Sequence, residues 1–212
     1  MKILATADWH LGKFPGPIDK FGVNLRALDT INCIDSMIKS AEKEQPDVIL
    51  VSGDIFHQAR VWADRGLEEV QTAISKIERL GRIAPTVVMR GTPNHDGAEQ
   101  VESLKHYFAT AQDVYVVTEP KTFQVADINV SCLPGFDRGV FRTQHPGLSK
   151  EDECQVFTQE ISKIVLGLRA QCDPGKKSVL MAHYTVPGCN TESGQTQFFS
   201  QFEPVLMPET LD

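Results

Sequence analysis

In the stretch DVILVSGDIFH, residues 47–57, an apolar run is followed directly by polar side chains of the types that bind metals or act in catalysis. Its first part, Asp47–Ser52, has the continuous valine, isoleucine and leucine content of a strand that is buried on both faces. Gly53 and Asp54 follow immediately, and His57 comes three residues after Asp54. We therefore predict a buried strand whose carboxyl end presents a carboxylate and an imidazole group.

Strand and helix patterns alternate on both sides of this stretch and predict an α/β architecture. Two further buried strands are predicted at Lys2–Ala7 and Thr86–Arg90. Between the strands, apolar residues at helical spacing predict helices over Leu25–Glu44 and from Leu67 to Gly81. This βαβαβ order implies a parallel sheet whose faces are covered by helices.

The second half of the chain has a different pattern, typical of an α+β arrangement. Three short strands are separated by so few residues that we predict an antiparallel meander: Val114–Val117, Lys121–Val125 and Asn129–Leu133. A loop is predicted over Gly135–Pro146. The remaining predictions are helices over Gly97–Phe108 and from a capping box at Ser149 to about Gln171, a strand over Ser178–Ala182, and a polar, irregular stretch over 185–208.

The chain ends on PETLD, residues 208–212, which is typical of the start of a helix. A chain rarely finishes where a helix begins. We therefore expect residues 1–212 to form one domain that is incomplete at its carboxyl terminus.

Composition narrows the class of protein. The 212 residues include 21 Lys and Arg against 28 Asp and Glu, so the net charge is −7, and a broad basic surface for nucleic acid is not expected. Bound metal ions could supply the positive charge needed to bind phosphates.

The five cysteines show no CxxC spacing, which argues against a thiolate zinc site or a disulfide framework. The N-terminus lacks the apolar length of a signal peptide or a spanning helix, so we expect a cytoplasmic protein without membrane association.

Polar residues of the types that bind metals or act in catalysis follow four of the predicted strands. They are Asp8 and His10 after the first strand, Asp54 and His57 after the second, Asn94, His95 and Asp96 after the third, and His183 after the last. Any one of them could be a turn, cap or hydrogen-bonded structural residue. Because ligands bind beyond the carboxyl ends of parallel strands, the full set favours one shared site.

This combination of donors indicates a metal centre. Imidazole, carboxylate and amide oxygen without cysteine suit manganese, iron or zinc. The two carboxylate oxygens of Asp54 make it the natural bridge between two ions, and such a pair activates water at a phosphoryl centre. His95, beside the predicted ligand Asn94, would be placed to protonate a leaving alkoxide. The residues therefore predict a dinuclear phosphoesterase.

The motifs resemble those of the calcineurin-like metallophosphoesterase superfamily. They are D-x-H at Asp8–His10, G-D at Gly53-Asp54, N-H-D at Asn94–Asp96, and a late histidine at the end of a strand, His183. The sequence motifs DWHLG and SGDIFH are similar to those of the SbcD exonuclease subunit and its double-strand-break repair relatives. The His57 position in SGDIFH is the most discriminating part of this resemblance.

The resemblance implies a fold, a site and partners. It implies a two-sheet β-sandwich flanked by helices, and two divalent ions with manganese preferred and iron or zinc as alternatives. One ion would be held by Asp8, His10 and Asp54, and the other by Asp54, Asn94 and His183. His95 would be the acid, oriented by Asp96, and His57 would help to place the phosphodiester. The implied activity is DNA exonuclease cleavage in repair and recombination, by a homodimer working with an SMC-like ATPase subunit of SbcC type.

Two departures from the family pattern keep other functions open. Thr92 and Pro93 are inserted into the usual G-N-H-D block, and the family's final G-H-x-H block, which supplies one histidine to each ion, is absent from these residues. One alternative is a phosphoesterase acting on small phosphodiesters or phosphoproteins. The other is a truncated relative that binds DNA or a partner without cutting.

Overall fold

The computed structural model describes residues 1–12, 16–59, 66–188 and 204–211. In chain order, the strands are β1 (Ile3–Thr6), β2 (Val48–Val51), β3 (Thr86–Met89), β4 (Val114–Val117), β5 (Lys121–Val125), β6 (Ile128–Leu133) and β7 (Ser178–Ala182). The helices are α1 (Leu25–Glu44), α2 (Gly66–Gly81), α3 (Ala98–Tyr107), α4 (Arg138–Gln144) and α5 (Lys150–Ala170). The predicted α/β order of the first half is confirmed.

The strands of the described residues form two sheets. The first has the order β1-β2-β3-β4 with every pairing parallel, and the second has the order β5-β6-β7. In the second sheet, β5 and β6 are antiparallel, whereas β6 and β7 are parallel. The arrangement is the two-sheet α/β fold flanked by helices that the resemblance implied.

Alternation along β2 explains how the layers pack. Ile49 and Val51 belong to the apolar cluster that includes Ile38 of α1 and Ile77 of α2. Val48 and Leu50 point to the opposite face, where they join the second sheet's cluster. Because both faces of the strand are covered, all four residues of β2 are buried. This accounts for the unbroken apolar run in the sequence.

A third apolar cluster covers the outer face of the second sheet. It contains Phe157, Ile161 and Val165 of α5 together with Leu133 of β6. These helical residues recur at intervals of four, which places them on one face of α5. The Ser149 side chain accepts a hydrogen bond from the Asp152 backbone N–H, at 3.1 Å, and so caps the start of this helix as predicted.

The prediction of an antiparallel meander is wrong for β4. This strand pairs in parallel with β3, with Thr86 opposite Val114, because the chain returns to the first sheet after crossing over through α3. The short link after β4 then passes to the second sheet. Only β5 and β6 form the expected hairpin, whose turn places Ala126 and Asp127 at φ values of 47° and 66°.

The predicted loop over Gly135–Pro146 is wrong in part, because it contains α4. The Asp137 side chain caps this short helix by accepting hydrogen bonds from the backbone N–H groups of Gly139 and Val140. Phe141 is buried and stacks against Phe157 with 4.5 Å between ring centroids. The helix therefore depends on a contact with α5 that is distant in sequence.

At the carboxyl end, Pro208–Thr210 forms a 3₁₀ turn. Most of the stretch predicted to be irregular, 185–208, lies outside the described residues. Among the described helices, none is long and apolar enough to cross a membrane.

An ion network joins α4 to α5. The buried Glu153 carboxylate accepts hydrogen bonds from Arg142 Nε at 2.6 Å and from Arg138 Nη2 at 3.1 Å. The hydrogen bond from Arg142, with further contributions from Arg138, lowers the pKa of Glu153 below its ordinary value of 4.5. The charged carboxylate is therefore stabilised in the folded state.

Glu153→Gln is expected to lower the melting temperature at pH 7 by about 3–6 °C, because charge-assisted hydrogen bonds are lost. The folded-state pKa is the lower one, so this stabilisation is present above pH 4.5 and disappears as the pH falls through the folded-state pKa. Thermal unfolding at several pH values measures the difference. Glu160→Gln, which removes an exposed pair with Lys163 on the same helix, is the matched control. A Glu153→Gln effect that is independent of pH would contradict the prediction.

Candidate metal centre

The loops after β1 and β2 run side by side and bring the first two motifs together. The backbone N–H of Asp8 donates to the Gly53 carbonyl at 3.0 Å, and that of His10 donates to the Asp54 carbonyl at 2.9 Å. These hydrogen bonds continue the parallel pairing of the strands past their carboxyl ends. Backbone hydrogen bonds therefore bring the first two predicted groups of site residues together.

Left-handed backbone conformations mark the predicted ligands in these loops. Asp8, His10 and Asp54 have φ values of 56°, 46° and 50°. Such values are uncommon for residues with a side chain and cost free energy. Neighbouring Gly53, at φ 94°, occupies a conformation that suits glycine. Strain concentrated at the predicted ligands is typical of a functional site.

Asp8, Asp54 and His183 form one group of donors, called here the carboxylate cluster. One ligand atom from each lies within 4.8 Å of the others. His183 Nε2 is 3.3 Å from Asp54 Oδ2 and 3.9 Å from Asp8 Oδ1. Asp54 is buried, whereas the side chain of Asp8 is 60% exposed. The cluster therefore has one fixed carboxylate and one that faces solvent.

Hydrogen bonds orient the His183 ring toward these carboxylates. Its Nδ1 lies 2.8 Å from the Ser52 carbonyl oxygen, which can only accept, so Nδ1 carries a proton and Nε2 faces the cluster. Burial alone would lower the pKa of His183, but the hydrogen bonds with Asp54 and with the Ser52 carbonyl outweigh it and raise the pKa to about 9. A metal ion bound at Nε2 would replace the proton held there.

Thr92 is a site residue that the sequence reasoning did not identify. Its backbone N–H and its hydroxyl both donate to Asp54 Oδ1, at 2.6 and 2.9 Å. Burial tends to raise the pKa of Asp54, but His183 and Thr92 reverse this and lower it below the ordinary value of 3.8. The inserted Thr-Pro pair thus supports the site, and the turn after it is closed by hydrogen bonds from His95 and Asp96 to the Thr92 carbonyl.

His10, His57 and His95 form a second group of donors, the histidine cluster. Their ligand nitrogens lie within 4.8 Å of one another. His95 Nδ1 is 2.7 Å from the His57 carbonyl oxygen, so Nδ1 donates and Nε2 is left facing the site, 4.0 Å from Asp54 Oδ2. Burial, together with the nearby His10 and His95, lowers the pKa of His57. The two clusters therefore adjoin each other across Asp54 and His95.

The Asp96 carboxylate binds backbone groups of two loops, and its role in orienting His95 stays a prediction. Its fully buried carboxylate accepts from the backbone N–H of Phe56 at 3.0 Å and of Gly91 at 2.7 Å. Burial raises the pKa of Asp96, and these backbone donors counteract the rise. Asp96 thus ties the loop after β2 to the loop after β3, while the His57 carbonyl orients His95.

Asn94 lines a cavity of about 620 Å³ together with Asp8 and His183 of the carboxylate cluster. The residue is exposed, and its backbone carbonyl accepts from Ala59 at 3.0 Å. Phe136, Arg138 and Tyr184 also line this cavity. Asn94 therefore shares a cavity with Asp8 and His183, and its role as a ligand stays a prediction.

The donors fit divalent metal ions. Carboxylate and imidazole groups without cysteine are the set that manganese, iron and zinc accept. The Nδ1 atom of His10 is buried without a hydrogen-bond partner among the described residues, which is costly for an imidazole nitrogen that no ion or proton donor satisfies.

Gly91→Ala is expected to disrupt this site from a position that carries no functional group. A Cβ on Gly91 would collide with the backbone nitrogen and Oδ1 of Asp54. We expect the melting temperature to fall by about 4–10 °C, because overpacking forces the loops apart, and metal affinity to fall with it. Thermal unfolding and metal titration measure both changes.

The control is Gly167→Ala on the exposed face of α5. A Cβ at this position meets no atom within 4 Å, so alanine should stabilise the helix. Equal melting temperatures for the two variants would contradict the prediction.

Comparison with known families agrees with this geometry. A model of the calcineurin-like phosphoesterase family matches residues 1–203. That match spans the strand ends that carry both clusters, and it makes the protein a phosphoester hydrolase dependent on divalent metal ions. The chain belongs to the calcineurin-like phosphoesterase family.

Proposed function

We propose that residues 1–212 form a manganese-dependent DNA nuclease domain of SbcD type. The observation that carries this proposal is the position of the His57 ring, whose centroid lies 6.1 Å from that of the predicted acid His95. His57 is the residue that distinguishes the SGDIFH motif, and it lies within the histidine cluster beside the predicted acid. A general phosphoesterase does not require this additional imidazole beside the acid.

The chemistry assigned to the chain follows from its own side chains. When bound, two divalent ions supply Lewis acidity and lower the pKa of an attacking water. Asp8, His10, Asp54, Asn94 and His183 are the residues proposed to hold them. His95 is positioned by the His57 carbonyl, so that Nε2 can deliver a proton to the leaving oxygen of a phosphodiester. Asp96 keeps the two loops together, and the ring of His57 contacts the substrate phosphate.

The cavity and the charge of the chain support the proposed substrate and partners. The cavity beside the carboxylate cluster is lined by the partly buried aromatic rings of Phe136 and Tyr184, which suit a nucleoside adjoining the cleaved phosphate. The net charge of −7 leaves little general attraction for a polyanion. We therefore propose that DNA affinity comes from the bound ions and from a cytoplasmic assembly, a homodimer with an SMC-like ATPase subunit of SbcC type, acting in repair and recombination.

The same net charge favours a second candidate, a phosphoesterase that acts on small phosphodiesters or phosphoproteins. Such substrates need no extended basic surface. Within the family, they would use the same carboxylate cluster.

A substrate panel separates these functions. The chain is incubated with Mn²⁺ and either end-labelled linear double-stranded DNA, a nitrophenyl phosphodiester or a phosphopeptide, with a chelator control. We expect DNA to be degraded only with metal present. Hydrolysis of the small diester or phosphopeptide without attack on DNA would favour the second candidate. Failure on every substrate, with metal bound, would overturn both and support a relative that binds DNA or a partner without cutting. Adding the ATPase partner tests the proposed assembly, which should increase DNA cleavage without changing hydrolysis of the small diester.

A further inference from the structure

We propose that Arg138 is a specificity-determining residue that binds a second phosphate of the substrate, next to the phosphate that is hydrolysed at the metal centre. Arg138 lines the same cavity as Asp8, Asn94 and His183. Among the described residues that line this cavity, Arg138 is the only lysine or arginine. Its side chain is 35% exposed, so a ligand in the cavity can reach the guanidinium group.

The cavity has room for a nucleoside that carries two phosphates. Its volume of about 620 Å³ lies within the range of pockets that hold small organic ligands. Phe136 and Tyr184 offer aromatic surface for the base and the sugar. The substrate class, which rests on the proposed function, supplies the second phosphate: an internal nucleoside of DNA adjoins a phosphate on either side, whereas a small diester has only the one that is cleaved.

The charge around Arg138 favours a phosphate group. The buried Glu153 carboxylate accepts hydrogen bonds from both Arg138 and Arg142. Two positive groups and one negative group leave this network with an excess of positive charge, in a chain whose net charge is −7. The planar guanidinium group of arginine also matches the geometry of phosphate oxygens, so charge and shape favour the same ligand.

Contacts with α5 hold the Arg138 side chain in place before a substrate binds. Its Nε and Nη2 donate to Glu153 Oε1 at 3.3 and 3.1 Å, and Nη2 also lies 3.5 Å from Cys154 Sγ. A side chain that is already ordered loses less conformational entropy when it binds a ligand. The same contacts would serve a purely structural role, in which Arg138 only ties α4 to α5.

Arg142 is the matched control, because it shares the structural role but not the position. It lies on the same helix and donates to Glu153 Oε2 at 2.6 Å, yet it is not among the residues that line the cavity. Arg142→Gln therefore removes an ion pair with Glu153 and leaves the charge in the cavity unchanged. Arg138→Gln removes an ion pair with the same carboxylate and also the cation in the cavity.

Nucleotide binding tests the role of Arg138 without requiring turnover. The full chain with Mn²⁺ is titrated by calorimetry with thymidine 3′,5′-bisphosphate and with the 3′- and 5′-monophosphates. We expect the unaltered protein and Arg142→Gln to bind the bisphosphate at least about tenfold more tightly than either monophosphate, because hydrogen bonds between charged groups are strong. Arg138→Gln should bind all three nucleotides with similar affinity, and circular dichroism checks that each variant is folded.

Three results would show that Arg138 does not bind a second phosphate. They are equal affinity of the unaltered protein for all three nucleotides, a preference for the bisphosphate that Arg138→Gln keeps, and a preference that Arg142→Gln loses to the same extent. If Arg138→Gln is unfolded, Arg138→Lys replaces it. Lysine keeps the charge but lacks the planar donors, so the preference should fall by at least about threefold, and an undiminished preference would overturn the assignment.

Hydrolysis by the same variants separates this role from the proposed function. Arg138→Gln should raise the KM for linear DNA and leave hydrolysis of a nitrophenyl phosphodiester unchanged, because that diester has no second phosphate. An unaltered KM for DNA would contradict the role of Arg138. If the unaltered protein prefers the bisphosphate but does not degrade DNA, the proposed nuclease function is wrong and the second phosphate site stands.

Discussion

Replacing Asp54 with asparagine is expected to lower phosphodiester hydrolysis by at least about a thousandfold, because metal ions stabilise several kcal/mol of transition-state charge. Asp54 is the buried member of the carboxylate cluster, and its two oxygens contact Thr92 and His183. Asparagine keeps the shape but removes the negative charge that would hold an ion between two sites. Hydrolysis of a nitrophenyl phosphodiester with Mn²⁺, together with the manganese content of the protein, measures the change.

The control for this substitution is Asp127→Asn in the β5–β6 turn. Asp127 is 84% exposed and has a φ of 66°, a conformation that asparagine adopts readily. It should leave both the rate and the manganese content unchanged. An Asp54→Asn protein that keeps its full manganese content would contradict the assignment of Asp54 as a bridging ligand.

The same substitution has a consequence for proton binding in the protein stripped of metal. Asp54 is the main partner that raises the pKa of His183 to about 9, so Asp54→Asn should lower this pKa. Because the pKa of His183 is higher in the folded state, its protonation contributes fully to the free energy of unfolding below pH 6.5. This contribution is lost as the pH rises through about 9. The lowered pKa of Asp54 acts in the opposite range, where its contribution is lost as the pH falls below 3.8. An NMR titration of His183 in both proteins measures the change in pKa directly.

His95→Ala is expected to lower hydrolysis by about 10²–10⁴-fold, the usual contribution of a positioned general acid. The carboxylate cluster contains no atom of His95, so the manganese content should stay the same. Rate measurements, with metal analysis of the same samples, check both expectations.

The control for His95 is His106→Ala, which removes an exposed histidine at the end of α3. This variant should behave as the unaltered protein. If His95→Ala kept the full rate, or lost its manganese and its rate together, the role of His95 as a proton donor would be wrong. A loss of rate on nitrophenyl substrates, whose leaving group needs little protonation, should be smaller than the loss on DNA.

Several features of the site could not be predicted because they depend on contacts between distant segments. Thr92 reads in sequence as an insertion that disturbs a motif, yet its two donors hold Asp54 Oδ1. Asp96 stands beside His95 in the chain, yet its carboxylate binds the backbone of Phe56 and Gly91. Side chains of adjacent residues in a tight turn point in different directions. The position of Asp96 next to His95 in the sequence therefore did not indicate which groups its carboxylate would bind.

The errors in the fold have the same origin. Periodicity predicted that β4 is a strand, but a short run such as VYVV does not show which strand it pairs with. The crossover through α3 places it beside β3. Likewise, α4 is short and contains a glycine, and Phe141 packing against Phe157 stabilises it where local propensity would not.

The parallel α/β half of this protein and the chemical class of its site follow from the amino-acid sequence alone. Runs such as VILV specify buried strands whatever their partners, and polar residues after several strands must meet because parallel strands end at the same edge. The division of those residues into a carboxylate cluster and a histidine cluster appears only in the folded chain. That division depends on the orientations of the His183 and His95 rings, which hydrogen bonds to the Ser52 and His57 carbonyls set. Because every residue has a backbone carbonyl, a sequence does not show which carbonyl will orient a given ring.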